Sequence, residues 1–387
     1  MTLAAALLAL PLSAETLRIA TWNADLSREG PGLLLRDIRA GKDAQVAAVV
    51  AVIARTHPDI LVLTGIDYDH DLRALSELAA LVAAAGGPDY AHLYARRPNS
   101  GMASGLDLDG DGRLGGPGDA QGFGMFSGQG GMAILSRLPV DGDAARDFSA
   151  FLWRDLPQAL IEGAGLSPDA AAAQRLSSVG HWAVPVELPD GRRLTILAYH
   201  ATPPVFDGPE DRNGRRNHDE TAFWTRLLDG DLPFAAPKAP FVIAGDANLD
   251  PTDGDGRAAA LSALLADGRL RDPAPKSAGG PEASARQGGV NAAQQGDPAL
   301  DTADWPEDGP GNRRVDYVLP SADLTLTGAG VFWPAEGQDG AAEATAASRH
   351  RMVWVDIDLP IIFCGCKGHK RRRWGHPRGI SALMPPI

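Results

Sequence analysis

The chain is poor in cysteine: its 387 residues include two, Cys364 and Cys366, both close to the C-terminus, and they say nothing of a disulfide framework in the main body. It also lacks a surplus of positive charge. Lys and Arg number 36 against 49 Asp and Glu, a formal net charge of −13, which argues against broad electrostatic affinity for DNA, RNA or anionic lipid. Charged residues make up only 22% and hydrophobic ones 44%, a balance unlike that of a disordered or fibrous chain. That leaves apolar material for a sizeable core, in one large domain or two ordinary ones. No internal repeat is visible, and no apolar run is long enough to cross a bilayer. Residues 1–14, "MTLAAALLALPLSA", are apolar, end in small residues and resemble a secretory signal without the Lys/Arg of its n-region. They point to an exported protein, periplasmic or extracellular. At the other end, 361–387 holds six Lys/Arg and no acidic residue, which leaves 30 basic against 49 acidic groups in 1–360. This tail reads as a disordered basic appendage.

What is present is an alternation of elements. Apolar runs that read as strands lie at 17–23, 59–65, 131–136, 193–200, 241–248, 313–320 and 351–360. Stretches with apolar residues three and four apart lie at 43–55, 70–86, 218–230 and 257–268, and read as helices. Strands interleaved with helices predict an α/β or α+β domain over 15–360, with helices covering the sheet faces. Two Gly-rich segments, 96–130 and 271–312, break the rhythm and read as surface loops.

Polar residues at strand ends are a common way to build a site, because the sheet fixes the backbone while the side chains face a cleft. Here Asn23 follows "IATW", and Asp67 and Asp69 follow "ILVLTG" within a few residues. His200 ends "TILAYH", Asp246 and Asn248 follow "FVIAG", Asp316 lies in "RRVDYV", and His350 precedes "RMVWVDI". Each alone has a bland explanation. Asp-x-Asn after a strand is commonly a turn or a helix cap, and a lone His is commonly a core or surface residue. Their recurrence at one strand end after another is harder to ascribe to chance.

Taken in order, "TWN", "PDILVLTGID", "GMAILSRLP", "LAYHATP", "GDANLDP", "RRVDYVLP" and "SRHRMVWVDI" resemble the endonuclease/exonuclease/phosphatase superfamily, over about 17–359. The resemblance implies a four-layered sandwich of two packed mixed sheets flanked by helices. It implies hydrolysis of a phosphate ester with a divalent cation, Mg²⁺ or Mn²⁺. By the same resemblance Asp316 orients His350 as general base, and His200 is an acid or phosphate contact. Asp246 and Asn248 place the water and a phosphate oxygen, while Asn23 supports the metal site beside Asp246. The expected substrate is a phosphodiester of nucleic acid, the alternatives being a phosphomonoester or phospholipid, or a catalytically silent, calcium-stabilised binding protein.

Two positions depart from the family pattern. The second strand ends in Gly65 where the family has a metal-binding Glu, and Arg349 stands where it has Asp before the last histidine. Strand alternation places Asp67 on the face of position 65, so Asp67 is expected to supply the missing ligand, and Arg349 to clamp a phosphate oxygen. On that view Gly65→Glu restores a stronger metal site. Separately, "DLDGDGRLGGPGD" (107–119) sets Asp107, Asp109, Asp111 and Arg113 at positions 1, 3, 5 and 7 of a calcium loop, with Gly112 at 6 and Asp119 one past the usual end. A structural Ca²⁺ site is expected there. The segment 202–220 resembles a loop of a secreted bacterial branch of the superfamily. Its Arg212, Arg216 and His218 are further candidates for the substrate phosphate.

Overall fold

A computed structural model describes residues 15–359. The signal-like segment and the basic tail lie outside them. Two mixed sheets form. In the first, β10 (Thr325–Phe332), β11 (Met352–Leu359), β1 (Glu15–Leu26), β2 (Ile60–Ile66), β4 (Gly131–Ser136) and β3 (His92–Tyr94) lie side by side in that order. The second runs β5 (Arg146–Asp147), β6 (Gly180–Glu187), β7 (Arg193–His200), β8 (Phe241–Asp246) and β9 (Asp316–Pro320). Only β1–β2 and β7–β8 are parallel pairs; the others are antiparallel.

Strand alternation sorts the apolar residues into layers. Ile60 and Val62 of β2 join Ile196 and Ala198 of β7 and Val242 and Ala244 of β8 in a core between the sheets. Residues of opposite parity turn outward. Leu61 and Leu63 meet α2 (Ala44–Thr56), α3 (Arg73–Ala84) and α1 (Leu33–Ala40). On the far side Leu197, Tyr199 and Ile243 pack on α5 (Arg212–Asp229) and α6 (Ala259–Leu265). Each Val, Ile or Leu so buried contributes about 1.5–3 kcal/mol, so a four-layered α/β sandwich follows from strands that are apolar on both faces.

Several elements depart from the sequence reading. The strand β6 contains Pro185, and β10, "TLTGAGVF", is broken by two glycines, which weakens the alternation signal of both. Helix α4 (Pro168–Ala173) is six residues long, and α8 (Ala341–Ala347) is built almost wholly of alanine. The segment 271–312 is not all loop: α7 (Gly279–Gln287) buries Gly279, Gly280 and Ala283, a face of small residues with no apolar periodicity to find. The helix α5 starts at Arg212, six residues ahead of the expected start, because its first turns are buried by polar contacts and not by an apolar stripe.

Candidate active site

The same alternation assembles the site. The core-facing residues 194, 196 and 198 of β7 lead to His200, and 242 and 244 of β8 lead to Asp246. Val318 of β9 leads back to Asp316, and Leu17 and Ile19 of β1 lead on to Asn23. Register then sets His200 opposite Asp246 and Asp246 opposite Asp316, so three functional side chains lie abreast on neighbouring strands. Asn23 faces them from the other sheet. Its Nδ2 donates to Asp246 Oδ2 at 2.9 Å, a hydrogen bond between the two sheets.

His350 arrives from the segment before β11. That segment is held against residues 302–304: Arg351 N donates to Thr302 O (2.6 Å) and Asp304 N to Arg349 O (2.9 Å), while Trp22 Nε1 donates to His350 O (3.0 Å). His350 Nδ1–H donates to Asp316 Oδ2 at 2.9 Å, which fixes the tautomer and leaves Nε2 as the basic nitrogen. Thr302 Oγ1 donates to the same carboxylate oxygen at 2.9 Å. Asp246 Oδ2 lies 3.8 Å from His350 Nδ1 and 3.5 Å from His200 Nε2, so this carboxylate sits between the two rings. Its other oxygen accepts Asn248 N at 2.8 Å. Asn248 is in the left-handed region (φ 49), and its Nδ2 donates to Ala201 O at 2.9 Å.

These contacts divide the titrating groups. Burial alone pushes the His350 imidazole's pKa down, but Asp316 and Asp246 outweigh it and raise it to about 9. Burial lowers the pKa of His200, opposed by Asp246. Burial, reinforced by Asp316, raises that of Asp246 against the pull of the two histidines. Thus one ring favours the cation and the other the neutral form. Two buried polar atoms of this row, His200 Nδ1 and Asp316 Oδ1, and Thr64 Oγ1, whose residue on β2 pairs with Asn23, have no hydrogen-bond partner among the described residues.

The metal position differs from the sequence expectation. Gly65 has φ +67, and a Cβ there would lie 2.1 Å from Asn23 Oδ1, so the carboxamide of Asn23 already fills the space a side chain would enter. The strand is bulged at this point, between Thr64 and Ile66, which breaks the simple alternation that aimed Asp67 at the cleft. Asp67 is instead a structural clamp: it accepts from Ser27 Oγ (2.9 Å), Arg28 N (2.8 Å) and Gly130 N (3.0 Å). Asp69 caps α3 through Arg73 N and Ala74 N.

The carboxylate that does face the site is Asp25, which sequence reasoning missed. It is half-buried with φ 51, its N donates to Asn23 Oδ1 (3.2 Å), and its Oδ2 accepts from Ser348 Oγ (3.1 Å) and Arg349 N (3.2 Å). Its charge acts on both His200 and His350. Its Oδ1 has no partner among the described residues. Asp25 and Asn23 Oδ1, linked through Asp25 N, offer oxygens of the kind a hard divalent cation takes, while the groups whose ligand atoms converge within 4.8 Å of one another are Asp246, Asp316 and His350. Exposed Arg349 lies beside Asp25, Nε 3.9 Å from Asp25 Oδ2, and opposes that cation by charge.

The other candidates separate. Arg216 is buried and donates to the carbonyls of Leu176, Gln121, Arg175 and Ser177, so its guanidinium is engaged in joining segments. Arg212 donates to Ala164 O and Leu108 O, and His218 is paired through Nδ1 with Asp219. Neither is brought to the His350 cluster. In the calcium-type loop Asp107, Asp109 and Asp119 converge, their carboxylate oxygens within 4.8 Å of one another. Asp111 stays outside the cluster and accepts Arg113 N at 2.7 Å. Trp305, unremarked in the sequence, stands edge-on to His350 with ring centroids 5.4 Å apart and is only half-buried.

Two packed mixed sheets carrying a His–Asp pair, a second His and an Asp-x-Asn turn at one end form a frame of phosphoric ester hydrolases. Residues 20–350 match the Endonuclease/Exonuclease/phosphatase family, and the chain belongs to it. Similar solved structures include an endonuclease/exonuclease/phosphatase from Beutenbergia cavernae, at 20% identity and TM-score 0.49, covering 89% of this chain and 72% of that one. Sphingomyelinase C from Streptomyces griseocarneus is 17% identical with TM-score 0.46, over 88% of this chain and 99% of that one. Truncated Caenorhabditis elegans TDP2 is 14% identical with TM-score 0.43, over 89% and 98%. No curated protein matches the chain. Among the described residues no helix is long and apolar enough to cross a membrane.

Proposed function

We propose that the protein hydrolyses phosphodiesters by attack of water on phosphorus, with His350 as general base. The observation that carries this reading is the 2.9 Å bond from His350 Nδ1 to Asp316, set beside Asp246 and His200. Asp316 and Thr302 hold the ring still, and its Nε2 takes the proton from water once the imidazolium has given up its own. Asp246 orients that water, Asn248 contacts a phosphate oxygen without adding negative charge, and as the P–O bond to the leaving group breaks the neutral His200 ring donates a hydrogen bond to the departing oxygen, which takes its proton from solvent. Arg349, exposed at the rim, pairs with a phosphate oxygen. Oxygens of Asp25, Asn23 and Asp246 would hold Mg²⁺ or Mn²⁺, which when bound would supply positive charge against the phosphate.

Nucleic acid is the first substrate choice, on the resemblance of His200 to the deoxyribonuclease-like branch. The net charge of −13 favours a second reading, a smaller or lipid phosphate ester with fewer charges to repel. A silent, calcium-stabilised binding protein is the rival from another class. Export is proposed too, and it would expose the loop at 107–119 to abundant Ca²⁺, the cation its converging aspartates suit. Plasmid DNA, a phospholipid and a small aryl phosphate should be assayed side by side, with and without EDTA. Chelator-sensitive nicking of DNA supports the first reading. Turnover of only the lipid or aryl ester selects the second, and no turnover of any overturns the enzyme.

A further inference from the structure

The loops that carry the candidate site are gripped from behind by one face of α5. Asn217, fully buried, donates both hydrogens of its carboxamide: one to Thr202 O and one to Ala247 O, each at 2.7 Å. Thr202 is two residues past His200, and Ala247 lies between Asp246 and Asn248. One side chain therefore bridges the two strand-end turns. Glu220, one helical turn on and also buried, completes the grip: its Oε2 accepts Thr202 N at 2.7 Å. Residue 202 is thus held by both of its backbone polar groups. Glu220 Oε1 accepts Ser178 N (2.5 Å) and Ser178 Oγ (2.7 Å), and Ser178 Oγ also lies 3.4 Å from His200 O. On the cleft side the same two turns are joined by Ala201 N to Asp246 O and by Asn248 Nδ2 to Ala201 O, both 2.9 Å.

A polar side chain in the buried middle of a helix is costly unless its partners need it, and Asn217 even leaves its Oδ1 without one. What it provides is a fixed spacing. Two carbonyls that each need a donor are satisfied by one NH₂ group, whose two hydrogens diverge at a set angle. Leucine has the volume but no donor, and serine has one donor for two acceptors.

We infer that Asn217 is a positioning residue, which sets the distance between the His200 turn and the Asp246–Asn248 turn and so the shape of the phosphate site. This rests on the phosphodiesterase reading, and the test keeps the two apart. A displacement of about 1 Å between catalytic groups costs about 100-fold in rate. Asn217→Leu should therefore lower kcat about 100-fold with KM changed less than threefold, and Asn217→Ser should fall between it and the wild type. The control is Asp219→Ala on the same helix, whose partners are His218, Trp153 Nε1 and Leu160 N, away from both turns. At a matched loss of melting temperature it should keep kcat within threefold. In parallel, NMR of ¹⁵N-histidine-labelled protein should show the His200 ring signals displaced in the Asn217 variants and unmoved in Asp219→Ala. If kcat follows melting temperature equally in both positions, or if the His200 signals are unchanged, the inference is overturned. Asn217→Ser decides where Asn217→Leu does not fold. An inactive wild type would sink the functional reading alone, since the NMR comparison still decides whether Asn217 positions His200.

Discussion

Gly65→Glu should damage the protein instead of restoring a metal ligand. The new Cβ would sit 2.1 Å from Asn23 Oδ1, while real Cβ contacts stay beyond 3.0 Å, so Asn23 must retreat by about 1 Å. Its Nδ2 is bonded to the buried carboxylate of Asp246 at 2.9 Å, and a retreat of that size breaks the bond. Losing a hydrogen bond to a charged group costs about 1.5–3 kcal/mol. Holding a residue other than glycine at φ +67 adds about 1–2 kcal/mol. The sum is about 2.5–5 kcal/mol. With an unfolding entropy of about 2.1 cal/mol/K per residue, a domain of ~345 residues has about 0.7 kcal/mol/K, so the melting temperature should drop by about 3–7 °C. The assay is thermal unfolding of a four-member cycle: wild type, Gly65→Ala, Asn23→Ala and the double variant. With Asn23 truncated the clash is gone, and adding Gly65→Ala should cost only the backbone part, about 1–2 kcal/mol. If Gly65→Ala costs the same with and without the Asn23 side chain, the steric reasoning is wrong. Gly65→Glu that melts like the wild type and needs less Mg²⁺ for activity would refute it outright.

Other outcomes are expected on the same basis. His350→Ala and Asp316→Ala should each lower kcat about 10²–10⁴-fold, and the double variant should be no worse than the poorer single one; multiplying losses in steady-state kinetics would separate the pair. Asp25→Asn should raise the Mn²⁺ concentration for half-saturation in calorimetry at least tenfold, and an unchanged isotherm would move the cation elsewhere. Because the folded His350 pKa is raised to about 9 from about 6.5, its stabilising contribution is full below pH 6.5 and lost as pH rises through 9, whereas the base form grows over that range. Activity of the folded protein should climb towards pH 9, and a pH–rate profile flat from 6 to 9 would remove His350 as the base. Millimolar Ca²⁺ should raise the melting temperature, and Asp109→Ala should abolish the rise; an unaltered response would place any calcium site outside 107–119.

The parts of the fold legible in the sequence were those whose physics is local. The strands β2, β4, β8 and β9 are apolar-rich runs buried on both faces, and β1, β7 and β11 alternate apolar with half-exposed residues, so both kinds announce themselves. The helices α2 and α3 carry an apolar stripe of the right period. The elements that went unseen are held by contacts from elsewhere. Strand β6 pairs along its whole length with β7 despite Pro185, and the small face of α7 packs on Trp333, which no local pattern encodes. The first turns of α5 read as loop because Arg216, Asn217 and Glu220 are polar. Their burial depends on the groups they meet, carbonyls for Arg216 and Asn217 and N–H and O–H donors for Glu220, which come from segments up to 95 residues away.

The site divides in the same way. His200, Asp246, Asp316 and Asn23 were legible because strand parity and register place them, and both are properties of regular backbone. Alternation misleads where regularity ends. One bulge between β2 and its neighbours turns Gly65 into a left-handed residue, sends Asp67 back to Ser27 and Arg28, and leaves the cleft to Asn23 and Asp25. The absence of a side chain at position 65 and the left-handed turn at Asp25 are therefore one feature. A Cβ at 65 would come within 2.1 Å of Asn23 Oδ1, the atom that accepts Asp25 N, so the turn that carries Asp25 into the site leaves no room for a side chain opposite it. Arg349 fits the same arrangement, since its backbone N–H and guanidinium both approach Asp25 Oδ2. A carboxylate at position 349 would instead bring a second negative charge against Asp25, tolerable only with a cation between them. The two departures from the family pattern thus leave one half-buried carboxylate, Asp25, partly neutralised by an arginine, and on the proposed function such a centre should bind its cation weakly.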